Sequence, residues 1–338
     1  VADQIGGAVL AARVSRVDRG RCTLLSQGGP VRATLGAPVL ERLAQDTAQG
    51  PCTGDWCVIR TWPDGPVTVE AVLPRRTSVV RADVGGTSRG HVLAANLDLV
   101  AVVVGLVPEP VIGKVERLVA LAWSSGATPV VLLTKSDLVG DGDQIAADIA
   151  ACAPGVEVIA CSAVTGEGME GLRELVGGHR TMGLLGSSGA GKSSLVNTLA
   201  GSVVLQTREI REDGRGRHTS VRRELVMLPG GGVLVDTPGL RGVGLLDAED
   251  GLAATFSDVE ELAASCRFRD CSHTSEPGCA VLEAVGDGGL AVRRLESWRR
   301  LQREAEWMAA RSDARLRAER VKVWKQRTKA HRRQQRGG

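Results

Sequence analysis

The stretch GSSGAGKSS, residues 186–194, constrains this chain more than any other. Gly186, four residues, then Gly191, Lys192 and Ser193 is the spacing of a phosphate-binding loop. Its glycines let backbone N–H groups turn toward phosphates, the lysine reaches the β- and γ-oxygens, and the serine hydroxyl ligates Mg2+. Ser187, Ser188, Gly189 and Ala190 fill the loop, and Ser194 follows in a helix whose N-terminus faces the phosphates. TMGLL before the loop reads as a strand and SSLVNTLAG after it as a helix. Such a loop usually follows the first strand of its domain, yet here 185 residues precede it.

The other motifs explain the delay. DTPG at 236–239 ends the apolar strand GVLV; Asp236 is placed to hold the Mg2+ shell and Gly239 to offer its N–H to a γ-phosphate. TKSD, Thr134-Lys135-Ser136-Asp137, ends the strand PVVLL. The Asp137 carboxylate can accept from both N1–H and the exocyclic amine of guanine, a donor pair adenine lacks. Lys135 would pack over base and ribose. CSA at 161–163 ends the next strand, where Ser162 precedes Ala163 and the Ala163 N–H can meet guanine O6. These are the parts of a GTPase in the order TKSD, CSA, phosphate loop, Thr219 region, DTPG. The usual order begins with the phosphate loop, so the domain reads as a circular permutation, tolerated where the old termini lie close together. Thr134 stands where many GTPases have Asn, and its hydroxyl is expected to brace the loop less well.

Residues 1 to about 73 carry short β-prone runs (AVLAARVSRV, RCTLLS, VRATLG, DWCVIRTW, PVTVEAVL) punctuated by Gly, Pro and Asp. They predict a small barrel or sandwich, an OB-type barrel being one option. From about 92 to 240, apolar strands alternate with helical segments, which argues for a parallel sheet with helices on both faces. Beyond that the pattern is largely helical, broken by Cys266, Cys271, His273 and Cys279. Three thiolates and an imidazole so close together suit a closed, structural tetrahedral zinc site. Residues 293–338 hold sixteen Lys/Arg against five Asp/Glu, a net +11; with +3 overall, the rest of the chain is −8. Ten of those cations lie in 315–336 with one acid, a helical pattern suited to an RNA phosphate backbone. No apolar run is long enough for a membrane span, and no basic start followed by an apolar block reads as a signal peptide. The protein is expected to be cytoplasmic and monomeric, with its five scattered cysteines buried as small hydrophobes.

The motif order and its flanks closely resemble the RsgA family of GTPases that depend on the small ribosomal subunit. GDWCVI (54–59) and RRTSVVRA (75–82) look like the end of that family's OB domain and its linker, and AANLDLV (94–100) like the entry to its GTPase domain. GRGRHTS (214–220) looks like its switch-I segment, and the cysteines and histidine match its C-x4-C-x-H-x5-C zinc pattern. The resemblance implies an OB domain at 1–80, a circularly permuted α/β GTPase domain at 81–245, and a zinc-binding domain with a basic helix at 246–338. It implies one structural Zn2+, Mg2+ with GTP held by Ser193, Thr219 and Asp236, and a role in late maturation of the small subunit through its 16S rRNA, with hydrolysis stimulated by that particle. Two alternatives stay open: a permuted GTPase of the large subunit, and a nucleotide-gated RNA-binding module with incidental hydrolysis. Leu240, after DTPG, cannot orient water, so His218 beside Thr219 is the candidate to do so, with Lys192 and Thr219 as the other catalytic groups.

Overall fold

The computed structural model describes residues 8–81, 91–205, 224–236 and 249–312. His218, Thr219, Gly239 and the basic segment 315–336 lie outside the described residues.

The N-terminal runs close into a barrel: β1 (Val9–Asp18), β2 (Arg21–Ser26), β3 (Gly29–Leu35), β4 (Trp56–Thr61) and β5 (Val67–Val72), in the order β1-β2-β3-β5-β4 with β4 returning to β1. The β3–β5 pair is parallel and the remaining pairs are antiparallel. Between β3 and β4 the chain forms a helix, α1 (Ala37–Gln45), that the strand pattern did not suggest. Its signal was Pro38 in the first turn, and its single fully buried residue, Val39, gave little helical period to read. A five-stranded closed barrel with that helix is the OB arrangement. Alternation sends Ala12, Val14, Cys22, Leu24, Cys57, Ile59 and Val69 inward to form its core. Burial pushes the Cys22 and Cys57 thiols up to about 12, so both behave as small apolar residues.

A two-stranded antiparallel link, β6 (Ser78–Arg81) with β7 (His91–Ala95), leads into a six-stranded sheet. Its strands are β8 (Leu99–Gly105), β9 (Thr128–Thr134), β10 (Glu157–Cys161), β11 (Thr181–Leu185), β12 (Glu224–Met227) and β13 (Val233–Asp236), in the order β10-β9-β8-β11-β13-β12. Five are parallel; β12, which the sequence pattern missed, pairs antiparallel with β13 at the edge. Leu99 to Val103 are wholly buried, as a strand covered on both faces must be. Helices α2 (Ile112–Ser124) and α3 (Gly142–Ala151) bury Val115, Val119 and Ile149 on one face. Helices α4 (Met169–Val176) and α5 (Lys192–Ala200) bury Leu172, Leu195 and Val196 on the other. The strand before the phosphate-loop motif, β11, is fourth of the sheet's strands along the chain yet central in space, between β8 and β13.

The C-terminal segment comprises α6 (Glu249–Thr255), α7 (Ser257–Ala263), α8 (Ala280–Gly286) and α9 (Val292–Ser312). Leu252, Phe256, Val259, Val281, Leu295 and Leu301 share one continuous core with α2 and the sheet. Helix α6 crosses α2 so closely that a Cβ on Gly251 would sit 2.3 Å from the Ala120 carbonyl oxygen. One buried ion pair locks the junction. Glu116 of α2, 1% exposed, accepts from Nη1 of Arg294 of α9, 3% exposed, at 2.9 Å. Arg294 spends all five of its N–H groups: on Glu116, on the carbonyls of Cys152 (2.7 Å) and Thr255 (2.7 Å), and on both oxygens of Asp258 (2.9 and 2.8 Å).

Candidate active site and metal centre

The carboxyl ends of β9, β10, β11 and β13 lie along one edge of the sheet, and every described nucleotide motif starts there. The register sets this: Thr134 pairs with Gly105 and Cys161, and Asp236 with Leu184. Open α/β sheets bind ligands at that edge.

Gly186 leaves β11 so close to β8 that a Cβ would stand 2.3 Å from the Val103 carbonyl oxygen; no other residue fits. Ser187, Ser188 and Gly189 form the exposed apex, while Ser193 and Ser194 lie half-buried in the first turn of α5. Lys192 opens α5 and turns its Nζ back onto the carbonyls of Gly186 (2.9 Å) and Ser187 (2.8 Å). The ammonium thus hangs over the loop, where phosphate oxygens can replace the neutral carbonyls as stronger, charged acceptors. Behind the loop, Thr134 Oγ1 donates to the Ala190 carbonyl at 2.7 Å, with the Val104 carbonyl farther off at 3.4 Å. The brace expected to be weak is therefore present as one short bond, the most a hydroxyl's single proton can give well.

Asp137 is held by a neighbour. Ser162 Oγ donates to its Oδ1 at 2.6 Å and accepts from the N–H groups of Val164 and Thr165, each at 3.1 Å. Ser162 is fully buried, so one hydroxyl fixes both the carboxylate and the loop that presents Ala163. Ser136 Oγ adds a strut to Glu167 Oε2 at 2.8 Å. Lys135 takes left-handed backbone (φ 65°) and sends its Nζ to the Val107 carbonyl at 3.0 Å. At the end of β13, Asp236 Oδ1 is buried with no hydrogen-bond partner among the described residues. Burial raises the Asp236 pKa while the Lys192 charge pulls it down. An orphaned buried carboxylate oxygen facing a phosphate loop is what a Mg2+ shell would satisfy.

Far along the chain, Cys266, Cys271, His273 and Cys279 converge, their four ligand atoms all within 4.8 Å of one another. Bond lengths of about 2.3 Å to sulfur and about 2.0 Å to nitrogen give tetrahedral edges of about 3.8 Å (S–S) and about 3.5 Å (S–N). The Cys266–Cys279 sulfurs are 3.8 Å apart, and His273 Nδ1 lies 3.5 Å from Cys266 Sγ and 3.4 Å from Cys279 Sγ. The four residues fit one four-coordinate ion. Burial also lowers the His273 pKa, favouring the neutral imidazole that ligates.

The RsgA GTPase family model matches residues 72–246, from the last barrel strand to just beyond DTPG. The chain belongs to the RsgA GTPase family. Its activity is therefore hydrolysis of GTP. Among this RsgA GTPase's relatives, the small ribosomal subunit biogenesis GTPase RsgA of Streptomyces avermitilis is 49% identical, covering 94% of this chain and 85% of its own length. The protein of the same name from Methanosarcina acetivorans is 38% identical, over 91% and 82%. The fold is shared with the crystal structure of YjeQ from Thermotoga maritima (TM-score 0.65, 24% identity, 87% of this chain and 97% of that one) and with YloQ, a circularly permuted GTPase (TM-score 0.60, 21% identity, 93% and 99%). Among the described residues no helix is long and apolar enough to cross a membrane.

Proposed function

We propose that this GTPase serves the biogenesis of the small ribosomal subunit, binding that particle through its 16S rRNA and hydrolysing GTP faster when bound. The observation that carries the reading is the convergence of TKSD, CSA, the 186–194 loop and Asp236 on one sheet edge, in a chain with 49% identity to a protein named for that role.

In this reading Asp137, aimed by Ser162, accepts from guanine, Lys135 covers the base, and the Ala163 N–H meets O6. Lys192 and the N–H groups of residues 186–194 hold the phosphates, with Gly239 N–H on the γ-phosphate. Ser193, Thr219 and Asp236 would hold Mg2+, which would supply charge neutralisation to the phosphates. His218 orients the attacking water, and the products are GDP and phosphate. The Cys3His centre holds zinc, because three thiolates and one imidazole favour a soft tetrahedral ion and leave no open position for chemistry. The barrel (1–80) and the zinc and basic segment (246–338) are the RNA-binding parts flanking the GTPase domain (81–245). The protein works as a cytoplasmic monomer away from membranes.

Cosedimentation with separated ribosomal subunits in the presence of a non-hydrolysable GTP analogue tests the partner. Pelleting with small subunits and not with large ones is expected. Equal pelleting with large subunits would overturn the reading.

A further inference from the structure

Between Cys271 and Cys279 the chain runs Ser272-His273-Thr274-Ser275-Glu276-Pro277-Gly278. Pro277 is its one wholly apolar side chain, so hydrophobic packing within the loop can do little to order it, although it carries one candidate metal ligand and separates two others. Within the loop, one carboxylate gathers the backbone. Glu276 Oε1 accepts from the Ser272 N–H (3.0 Å) and the Ser272 hydroxyl; Oε2 accepts from the N–H groups of Thr274 (2.9 Å) and Ser275 (3.0 Å). Four donors fill the four acceptor positions of a carboxylate, which leaves Glu276 no capacity to ligate. The donors bracket His273 on both sides, and His273 itself holds left-handed backbone, φ 55°, a conformation costly for a residue with a Cβ. From α9, Arg299 donates to the His273 carbonyl and the Trp298 ring meets the imidazole edge-on at 5.5 Å. Trp298 is itself anchored by its Nε1 to Glu260 of α7 at 3.1 Å.

We propose that Glu276 is a positioning residue for the metal centre: it folds the 272–278 loop around its carboxylate so that His273 Nδ1 faces the thiols before the ion arrives. This rests on the Cys3His cluster holding zinc. The ordering cost of the loop is met by hydrogen bonds rather than by the ion, so metal meets Cys266, His273 and Cys279 already within a few tenths of an ångström of tetrahedral edges, with Cys271 Sγ within 4.8 Å of each. Glutamine has nearly the same shape but cannot do this. One of its two ends is an NH2 donor, which would face at least one backbone N–H and could not accept from it.

The test compares the full-length wild type with Glu276→Gln and Glu276→Ala. Zinc content is measured by metal analysis, zinc release is followed into an excess of a chromogenic chelator, and the Co2+-substituted spectrum reports tetrahedral thiolate ligation. Circular dichroism checks that each chain is folded. Wild type should carry one zinc, and both variants should release it roughly 10–100-fold faster, the usual size of a lost ligand-orienting contact. Both should also show a weakened tetrahedral cobalt signature. Release from Glu276→Gln at the wild-type rate would overturn the proposal, since space-filling alone would then suffice. A wild-type chain that binds no zinc would remove the metal reading, and this proposal with it.

Discussion

The Glu116–Arg294 pair makes a measurable prediction about how the C-terminal module is held. Arg294→Ala removes a guanidinium that is 3% exposed and leaves Glu116, 1% exposed, with the Ser297 hydroxyl and the more distant Arg293, whose Nη1 lies 3.3 Å away and whose side chain is 47% exposed. It also strips donors from two buried carbonyls and from Asp258, and takes a cation from above the Phe256 ring, now 4.2 Å from its centroid. Removing one partner of a buried pair costs about 3–5 kcal/mol. At about 1.4 kcal/mol per decade, the equilibrium for detaching α6–α9 from α2 should shift roughly a hundredfold to several thousandfold. Hydrogen exchange read by mass spectrometry should show faster exchange in peptides from α6, α7 and α9, and urea unfolding should split into two transitions. Arg294→Lys, which restores charge without the five-donor fork, should lie between. A loss below about 1 kcal/mol, with one cooperative transition, would mean the pair does not hold the module, and the rigid-junction argument would fail.

Asp137→Asn should weaken GTP by roughly 10²-fold or more and admit xanthosine triphosphate, because the amide reverses the donor pattern facing the base; competition binding reads both. Lys192→Ala should lower turnover by on the order of 10²–10³ with unfolding unchanged, since its Nζ reaches the Gly186 and Ser187 carbonyls of the loop; Ser193→Ala should likewise abolish turnover by removing the proposed Mg2+ ligand. Cys271→Ala, or zinc removal by a strong chelator, should weaken subunit binding in the pelleting assay while basal hydrolysis survives. His218→Ala should cut subunit-stimulated hydrolysis by roughly 10²–10⁴ while keeping GTP affinity; a change within about twofold would place the water-orienting group elsewhere.

The sheet was legible because its strands are continuous apolar runs that end in motif residues: TMGLL into the 186–194 loop, PVVLLT into Lys135, GVLV into Asp236. The barrel was legible as strands but not as a topology, because α1 buries one residue fully and two-residue alternation says nothing about which strand closes on which. The members of the Cys3His cluster could be read because all four fall between residues 266 and 279. Contacts between distant segments could not. Glu116 sits among Val115, Val119 and Ala120 on a buried helical face, which signals a buried partner without naming it. That partner lies 178 residues away. Ser162 was placed in its motif, but its bond to Asp137 depends on the β9–β10 register. Glu276 belongs to no motif in the sequence, because its role depends on where three backbone N–H groups point.

The most direct measurement is phosphate release from GTP by the full-length chain alone, with purified small ribosomal subunits, and with large ones. The account predicts slow release alone and with large subunits, and release at least about tenfold faster with small subunits, a gain lost in Ser193→Ala. Release unchanged by small subunits, or raised equally by large ones, would contradict it.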